Sequence, residues 1–157
     1  MRTVLQRVSR ACVRVRGEVV GEIDRGLLAL VGVAADDDEE QARSTAHRIR
    51  TLRVFEDERG RMNLDVVQAG GTVLVVSQFT LVADLAHGRR PSLSTAAPAE
   101  RARRLIGVLT TELSELGAPT AEGRFGASME VELSNDGPVT FVLDVSAPGG
   151  AARSGDH

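Results

Sequence analysis

An uninterrupted apolar run, residues 26–33, limits the folds open to this 157-residue chain. The run is Gly-Leu-Leu-Ala-Leu-Val-Gly-Val, so it has no polar side chains to present to water. Residues 72–76 are nearly as apolar. Strands that are apolar on both faces lie inside a sheet that is covered on both sides. The first run therefore predicts a central strand, and the second predicts a buried strand.

Alternating apolar and polar residues indicate strands at both ends of the chain. Such a pattern is typical of a strand with one buried face. The alternating segments are residues 3–8, 12–16, 19–23, 129–133 and 139–143. Gly17 favours a tight reversal between the second and third of them, and residues 135–138 favour one between the last two. Each end of the chain is therefore predicted to form an antiparallel hairpin.

Two stretches have the spacing of amphipathic helices. The first is predicted over residues 38–52, with Asp36 and Glu39 as the capping box at its start. The second helix has Pro98 in its first turn and carries one apolar stripe, which stops at Gly117.

Strands dominate this pattern, and the sequence contains no internal repeat. The expected fold class is α/β: a mixed, largely antiparallel β-sheet with two main helices packed against it in a single domain. That domain is predicted to cover residues 1–145, and residues 146–157, rich in Gly, Ala and Ser, are predicted to be a disordered tail.

The counts of individual residue types exclude several kinds of chemistry. All 19 basic residues are arginine, so mechanisms that depend on lysine are excluded. Cys12 is the one cysteine, which excludes an internal disulfide and a CxxC motif. The histidines, His47, His87 and His157, lack metal-ligand spacing, so no metal and no cofactor is expected. Four phenylalanines without Trp or Tyr do not make an extended stacking platform for single strands.

Hydropathy and charge bear on location and partners. No apolar run approaches the roughly 20 residues of a membrane span, and the first residues lack a signal-peptide core, so a cytoplasmic location is predicted. The net charge is −3, yet residues 1–25 and 87–104 are rich in arginine. Arginine can bind phosphate with two parallel hydrogen bonds, but charge alone fits a solvated surface equally well.

Polar residues follow the second apolar run. Ser77, Gln78 and Thr80 lie where α/β folds tend to present functional groups. A hydroxyl there could be a nucleophile, although neither Ser77 nor Thr80 has a histidine or lysine nearby in sequence to activate it. The alternative is a strand end whose hydroxyls bond to the local backbone, and the sequence by itself favours this alternative.

Two further segments are compatible with either a site or a plain turn. Residues 87–92 include Arg89 and Arg90, which could hold phosphate or could form an exposed basic turn. Residues 135–138, Asn-Asp-Gly-Pro, favour a hairpin turn. A glycine beside a proline also leaves carbonyl groups open to a ligand, so a recognition site made of backbone atoms is the other interpretation.

Taken together, three segments resemble signature motifs of the D-aminoacyl-tRNA deacylase family. They are Ser77-Gln78-Phe79-Thr80-Leu81, Gly88-Arg89-Arg90-Pro91-Ser92 and Asn135-Asp136-Gly137-Pro138-Val139-Thr140. Shorter matches at residues 6–8, 26–28, 62–64, 68–71 and 123–125 extend the resemblance from about residue 1 to residue 145. Three features depart from the family: Leu93 where a phenylalanine is common, Val82 at a variable position, and the tail.

The resemblance implies an enzyme that hydrolyses the ester between a D-amino acid and the 3′-terminal adenosine of tRNA. It also implies removal of glycine misattached to the tRNA for alanine, and a homodimer whose partner is aminoacylated tRNA. By resemblance, Ser77 and Leu81 would bind the adenosine, with Gln78, Phe79 and Thr80 as the catalytic positions.

The family also implies roles for the second motif region. Gly137 and Pro138, joined by a cis peptide bond, would reach into the partner subunit's site, and Arg7 would brace them. Their carbonyl groups would bind the substrate's α-amino group, so that an L side chain is directed into the backbone and excluded.

The resemblance further implies hydrolysis assisted by the adenosine 2′-hydroxyl, a positioned water and the backbone N–H groups near Phe79 and Thr80. Three alternatives stay open. Thr80 could be a covalent nucleophile, the chain could be an RNA-binding dimer without catalysis, or it could be an esterase of small D-amino acid esters.

Overall fold

A computed structural model describes residues 1–86 and 88–146. The predicted tail, apart from its first residue, lies outside the described residues. Within them the chain forms eight strands and two α-helices. In chain order these are β1 (Arg2–Val15), β2 (Glu18–Ile23), β3 (Gly26–Gly32), α1 (Glu39–Thr51), β4 (Phe55–Glu56), β5 (Met62–Leu64), β6 (Thr72–Ser77), α2 (Ala99–Glu115), β7 (Thr120–Glu122) and β8 (Glu130–Asp144).

The long strand β1 organises a six-stranded sheet. β8 pairs antiparallel with one edge of β1, while β3 and β2 pair with successive halves of the other edge. The sheet continues from β3 through parallel pairing to β6 and then to β7. A Cβ atom built on Gly21 of β2 would lie 2.3 Å from the carbonyl oxygen of Glu122 in β7, so the sheet curls almost into a barrel. The predicted α/β class with a mixed, largely antiparallel sheet and two helices is confirmed.

Both faces of the central strands are covered, as their apolar runs predict. Leu27, Val73 and Val75 pack into the cluster under α1 and α2. Their neighbours Leu28 and Leu74 point the other way, into a second cluster inside the curled sheet. Successive side chains of a strand alternate between faces, so burial on both sides requires an uninterrupted apolar run.

The predicted hairpin at the start of the chain is confirmed, with one change. Residues 3–8 and 12–16 are not separate strands, because β1 runs unbroken from Arg2 to Val15. The reversal falls at Arg16 and Gly17, both of which have positive φ angles, 51° and 81°. This two-residue loop joins Val15 to its partner Glu18.

The predicted hairpin at the end of the chain is wrong. Residues 129–133 and 139–143 belong to one strand, β8, and both halves pair with β1 in the same direction. Gln6 pairs with Thr140 and Val8 pairs with Asn135, so five steps along β8 face two steps along β1. The surplus residues project from the sheet as a bulge, residues 136–139. A hairpin is unnecessary because the long β1 can pair with both halves.

The capping residues predicted for α1 are also wrong. Asp38, not Asp36, caps the helix: its carboxylate accepts from the backbone N–H of Glu40 at 2.8 Å. The side chain of Gln41 accepts in return from the N–H of Asp38 at 2.9 Å. Glu39 is occupied elsewhere, since its carboxylate forms ion pairs with arginines of α1 and α2. The second helix ends before Gly117, as predicted, but it begins at Ala99, so Pro98 is its N-cap and not part of its first turn.

Candidate active site

The polar residues after the second apolar run lie where the chain leaves the sheet. The N–H of Gln78 donates to the carbonyl oxygen of Val31 at 2.8 Å, just past the last paired residue of β6. Residues Phe79–Val82 then form a single 3-10 turn. The turn leaves the side chain of Phe79 54% exposed and that of Thr80 exposed. The predicted site residues therefore stand at the surface on a rigid sheet edge.

Gly32 permits the close packing of this turn on the sheet. A Cβ atom at Gly32 would lie 3.0 Å from the carbonyl oxygen of Gln78 and 3.0 Å from Cβ of Leu81. A glycine at the end of an apolar strand is the signal in the sequence for such a close backbone approach, but it does not identify the segment that approaches.

We expect Gly32→Ala to lower kcat/KM for the family's substrate by about ten-fold, because the added methyl group must displace the turn by a few tenths of an ångström. The melting temperature should fall only slightly. Gly107→Ala is the matched control, since nothing lies within 4 Å of a Cβ atom there. Equal activity of the two variants, measured in the same deacylation assay, would show that the turn tolerates displacement.

A cavity of about 330 Å³ opens beside the turn. Ser77 and Phe79 form one wall, and Phe125 and Met129 lie among the residues of another. The remaining lining residues are small or aliphatic: Val33, Ala96, Ala97, Ala99, Ala102, Gly126 and Ala127. None of the lining residues carries an ionisable side chain. The guanidinium of Arg103, which does not line the cavity, lies over one face of the Phe125 ring, 4.9 Å from the ring centroid.

Most of these lining residues were not predicted. Residues 123–125 belong to the shorter matches to the family, which imply no role for them. The alanines at positions 96, 97 and 99 stand just before or at the start of α2, where small side chains leave room beside the sheet edge. Composition alone does not distinguish them from the alanines of a loop.

The hydroxyl of Thr80 is not paired with a base. Its partner is the side-chain amide of Gln78, whose Nε2 donates to Thr80 Oγ1. An amide that donates to a hydroxyl cannot accept its proton, so this contact does not activate Thr80 as a nucleophile.

The carboxylates with shifted pKa values in the described part of the chain lie away from the cavity. Backbone N–H groups of Arg61 and Arg59 hold the pKa of Asp57 below its usual value. Burial raises the pKa of Asp65, but hydrogen bonds from the Gln68 backbone and the Arg50 side chain outweigh that effect and lower it. Neither carboxylate is placed to act at the cavity.

The bulge of β8 presents Gly137 and Pro138, which are joined by a cis peptide bond and exposed. Arg7, only 5% exposed, holds the bulge at its base. Its Nε donates to the carbonyl oxygen of Asp136 at 3.1 Å, and its Nη1 donates to the carbonyl oxygen of Val54 at 2.8 Å. The guanidinium also forms ion pairs with the carboxylates of Asp136 at 3.2 Å and Glu56 at 3.6 Å.

Within one chain, the turn and the bulge lie far apart. Ser77 pairs with Val31, which pairs with Thr3, whereas the bulge contacts Arg7, four residues further along β1. Measured along the sheet, four residues span about 13 Å in the strand direction. The three strand spacings from β6 through β3 and β1 to β8 span about 14 Å across it. One chain therefore brings Ser77, Gln78, Phe79, Thr80 and Leu81 together, but not with Gly137 and Pro138.

The remaining predicted segment forms an exposed loop. Asp84 and Ser92 exchange backbone hydrogen bonds of 2.8 and 3.0 Å across it, and Arg89 and Arg90 are exposed. His87 lies outside the described residues. Leu93 is 43% exposed and does not line the cavity, so this departure from the family pattern leaves the cavity wall unchanged.

Among residues 1–86 and 88–146, no three or more His, Cys, Asp or Glu side chains are grouped to hold a metal ion. No helix in the same residues has the length and apolarity needed to cross a membrane.

Fold and site together define a one-domain mixed α/β protein with an uncharged cavity at the edge of a curled sheet. A family model described as D-Tyr-tRNA(Tyr) deacylase matches residues 4–144. A curated D-aminoacyl-tRNA deacylase of Shewanella amazonensis is 53% identical over 145 residues, which are 92% of this chain and 100% of that protein. The chain therefore belongs to the D-Tyr-tRNA(Tyr) deacylase family, as the sequence predicted, and is a hydrolase.

Two solved structures share the fold. The c-Myc DNA Unwinding Element Binding Protein is 37% identical with a TM-score of 0.89, covering 94% of this chain and 100% of its own. A probable eukaryotic D-amino acid tRNA deacylase is only 16% identical, with a TM-score of 0.79, covering 92% of this chain and 98% of its own.

Proposed function

We propose that this enzyme hydrolyses the ester between a D-amino acid and the 3′-terminal adenosine of tRNA in the cytoplasm, and that it also releases glycine misattached to the tRNA for alanine. The observation that carries the proposal is the cavity without an ionisable side chain beside the exposed turn. Its volume suits a small ligand, and Phe79 and Phe125 offer ring faces on which a base can stack. Such a site recognises an uncharged nucleoside and relies on backbone and substrate groups for catalysis.

In this proposal a second copy of the chain completes the site. The cavity and the Gly137–Pro138 bulge are too far apart in one chain to hold one amino acid between them. β8, which carries the bulge, also exposes Leu133, Phe141 and Val142, at 38%, 40% and 65%. Exposed apolar side chains on one strand are typical of an interaction surface. A two-fold dimer formed through this strand would give each cavity the partner's bulge.

Chiral selection would come from the backbone of that bulge. The carbonyl groups of Gly137 and Pro138 would accept hydrogen bonds from the substrate's α-ammonium group. With that group fixed, an L side chain would collide with the backbone, whereas a hydrogen atom or a D side chain would point into open space. Arg7, which holds the bulge at its base, would keep the two carbonyl groups in position.

The hydrolytic step needs no ionisable side chain. A water molecule would add to the ester carbonyl carbon, and the 3′-oxygen of the adenosine would leave, taking a proton. The first N–H groups of a helical turn have no partner within that turn, so those of Phe79 and Thr80 are available to stabilise the negative charge on the carbonyl oxygen. The adenosine 2′-hydroxyl would assist the attacking water. Gln78 would position the turn through its contact with Thr80.

Replacing Thr80 separates this mechanism from the nucleophile alternative. We expect Thr80→Ala to keep kcat/KM within about ten-fold of the unmodified enzyme, because the backbone N–H is retained. A nucleophile mechanism instead requires a loss of several orders of magnitude in Thr80→Ala and substantial activity in Thr80→Ser. Detection of an acyl-enzyme by mass spectrometry after rapid quenching would decide for the nucleophile.

A binding-only role is the second candidate, because the name of the 37% identical relative refers to DNA binding. Turnover of D-aminoacyl-tRNA by the purified protein separates the two functions directly. The same assay with simple D-amino acid esters tests the third possibility, an esterase without an RNA substrate. If the small esters are cleaved as efficiently as the aminoacyl-tRNA, recognition of the adenosine is wrong.

A further inference from the structure

A second cavity, of about 410 Å³, adjoins the 330 Å³ cavity beside the turn, which is called here the nucleoside cavity after its proposed ligand. Its lining is Val15, Arg16, Arg124, Gly126, Ala127 and Ser128. Gly126 and Ala127 line both cavities, so the two lie on either side of the same short segment. A group attached to a molecule in the first cavity therefore has the second cavity as an immediate neighbour.

The two cavities differ in charge. The nucleoside cavity has no ionisable lining, whereas the second has two guanidinium groups and no carboxylate. Several arginines in the described part of the chain form an ion pair with a carboxylate, as Arg14 does with Glu132 at 3.2 Å. Among the described residues, the side chains of Arg16 and Arg124 form no hydrogen bond or ion pair. Their donors are free for an anion.

Arg16 also occupies a position that suits other residues better. It is the one non-glycine residue with positive φ in the described chain, at 51°. A two-residue hairpin loop of this kind favours Asn, Asp or Gly at that position, since a side chain without a local hydrogen bond gains nothing there. The preference of the turn therefore does not explain an arginine.

We infer that the second cavity, called here the Arg16–Arg124 cavity, binds the phosphodiester that joins the terminal adenosine to the preceding nucleotide. This inference rests on the proposed function, because it places the adenosine in the first cavity. The phosphodiester is covalently attached to that nucleoside and carries one negative charge, and guanidinium groups bind phosphate oxygens through paired, charge-assisted hydrogen bonds. The cavity would thus favour a substrate that is part of an RNA strand over a free aminoacyl nucleoside.

The test compares two short substrates that share the same ester. One is D-aminoacyl-adenosine, which has no phosphodiester, and the other is the D-aminoacyl dinucleotide CpA, which has one. The variant is Arg16→Asn combined with Arg124→Gln, in which Asn suits the turn and both charges are removed. We expect the unmodified enzyme to prefer the dinucleotide on the order of ten-fold in kcat/KM, and the variant to lose that preference while cleaving the nucleoside normally.

The matched control is Arg59→Gln combined with Arg61→Gln, which removes the same charge from an exposed turn that lines neither cavity. It should keep the preference for the dinucleotide. The inference is overturned if the Arg16–Arg124 variant keeps the preference, or if the control loses it equally. If the unmodified enzyme cleaves neither substrate nor D-aminoacyl-tRNA, the proposed function fails instead.

Salt dependence gives a second measurement. For single strands, the slope of log affinity against log salt changes by about 0.7 for each phosphate contact removed. The probe is tRNA without an attached amino acid. If the two arginines share one phosphate, the salt slope for its binding to the Arg16–Arg124 variant should be shallower by about 0.7 than for the unmodified enzyme. An unchanged slope would contradict the contact.

Discussion

Purified protein should release the amino acid from D-tyrosyl-tRNA and leave L-tyrosyl-tRNA essentially intact, with kcat/KM values that differ by at least about a hundred-fold. In the proposed site an L side chain would collide with the backbone, so its rejection does not depend on a small difference in affinity between the D and L esters. The backbone of the bulge is held by Arg7 and by the hydrogen bond from the Val139 N–H to Asn135 Oδ1, at 2.9 Å, so it cannot easily move aside.

Glycyl-tRNA is the internal control for this experiment. Glycine has a hydrogen atom in both positions, so the collision is absent and its ester should be cleaved. Hydrolysis is measured as loss of labelled amino acid from tRNA, with the spontaneous rate subtracted. Comparable rates for the D and L esters would rule out selection by the backbone, whatever the activity on glycine.

If each site takes its cavity from one chain and its bulge from the other, as proposed, mixing two inactive variants should restore activity. The first variant is Gly137→Ala. Gly137 has φ +137°, and an added Cβ atom would lie 2.5 Å from Cγ2 of Val139, so the bulge must change shape. The second variant is Ala99→Trp, in which an exposed residue at the mouth of the cavity is enlarged to fill it.

In a mixed dimer, one site combines the intact cavity of the first chain with the intact bulge of the second. With random exchange of equal amounts, about half of the dimers are mixed and each has one good site of two, so about a quarter of the unmodified activity is expected. Glu100→Trp, an exposed change next to the cavity mouth, is the control and should be active alone. Sedimentation must first show a dimer. No recovery after verified exchange would mean that each chain builds its site alone.

Gly137→Ala should lower stability as well as activity. The open surroundings expected of a glycine beside a proline predict mainly an obstructed site, with activity reduced more than stability. The added Cβ atom, however, meets Val139 of its own chain, including the backbone nitrogen at 2.9 Å. Some loss of stability is therefore expected even if the bulge acts only on the partner, and the mixing experiment is the sharper test.

Elements that depend on local patterns were predicted well. The strand predicted at residues 26–33 and helix α2 are examples. Burial determines which of their positions are apolar, and the spacing of apolar residues is visible in the sequence. The bulge was mistaken for a hairpin because Asn-Asp-Gly-Pro favours a turn in either setting. A bulge differs from a hairpin here only in that both halves of β8 pair with β1. That pairing connects residues more than a hundred positions apart.

The candidate site was predicted unevenly for a similar reason. Ser77 and Thr80 stand out because polar side chains interrupt an apolar strand. Gly32 and Ala99 do not, because a glycine or an alanine contributes to a site only through the residues that fold against it. The closeness of Gly32 to Gln78 depends on the parallel pairing of β3 with β6, which no short motif reports.

The bulge of β8 also limits how this chain can vary. The residues on both sides of the bulge pair with β1. The number of residues in the bulge is therefore fixed by the pairing of Asn135 with Val8 and of Thr140 with Gln6. Losing or gaining one residue there would shift the last segment of the chain by one position. Leu143, which is buried, would then exchange faces with exposed Val142, because a one-residue slip turns every side chain over. Substitutions in the bulge leave this pairing unchanged, whereas insertions and deletions would disrupt the core at the end of the chain.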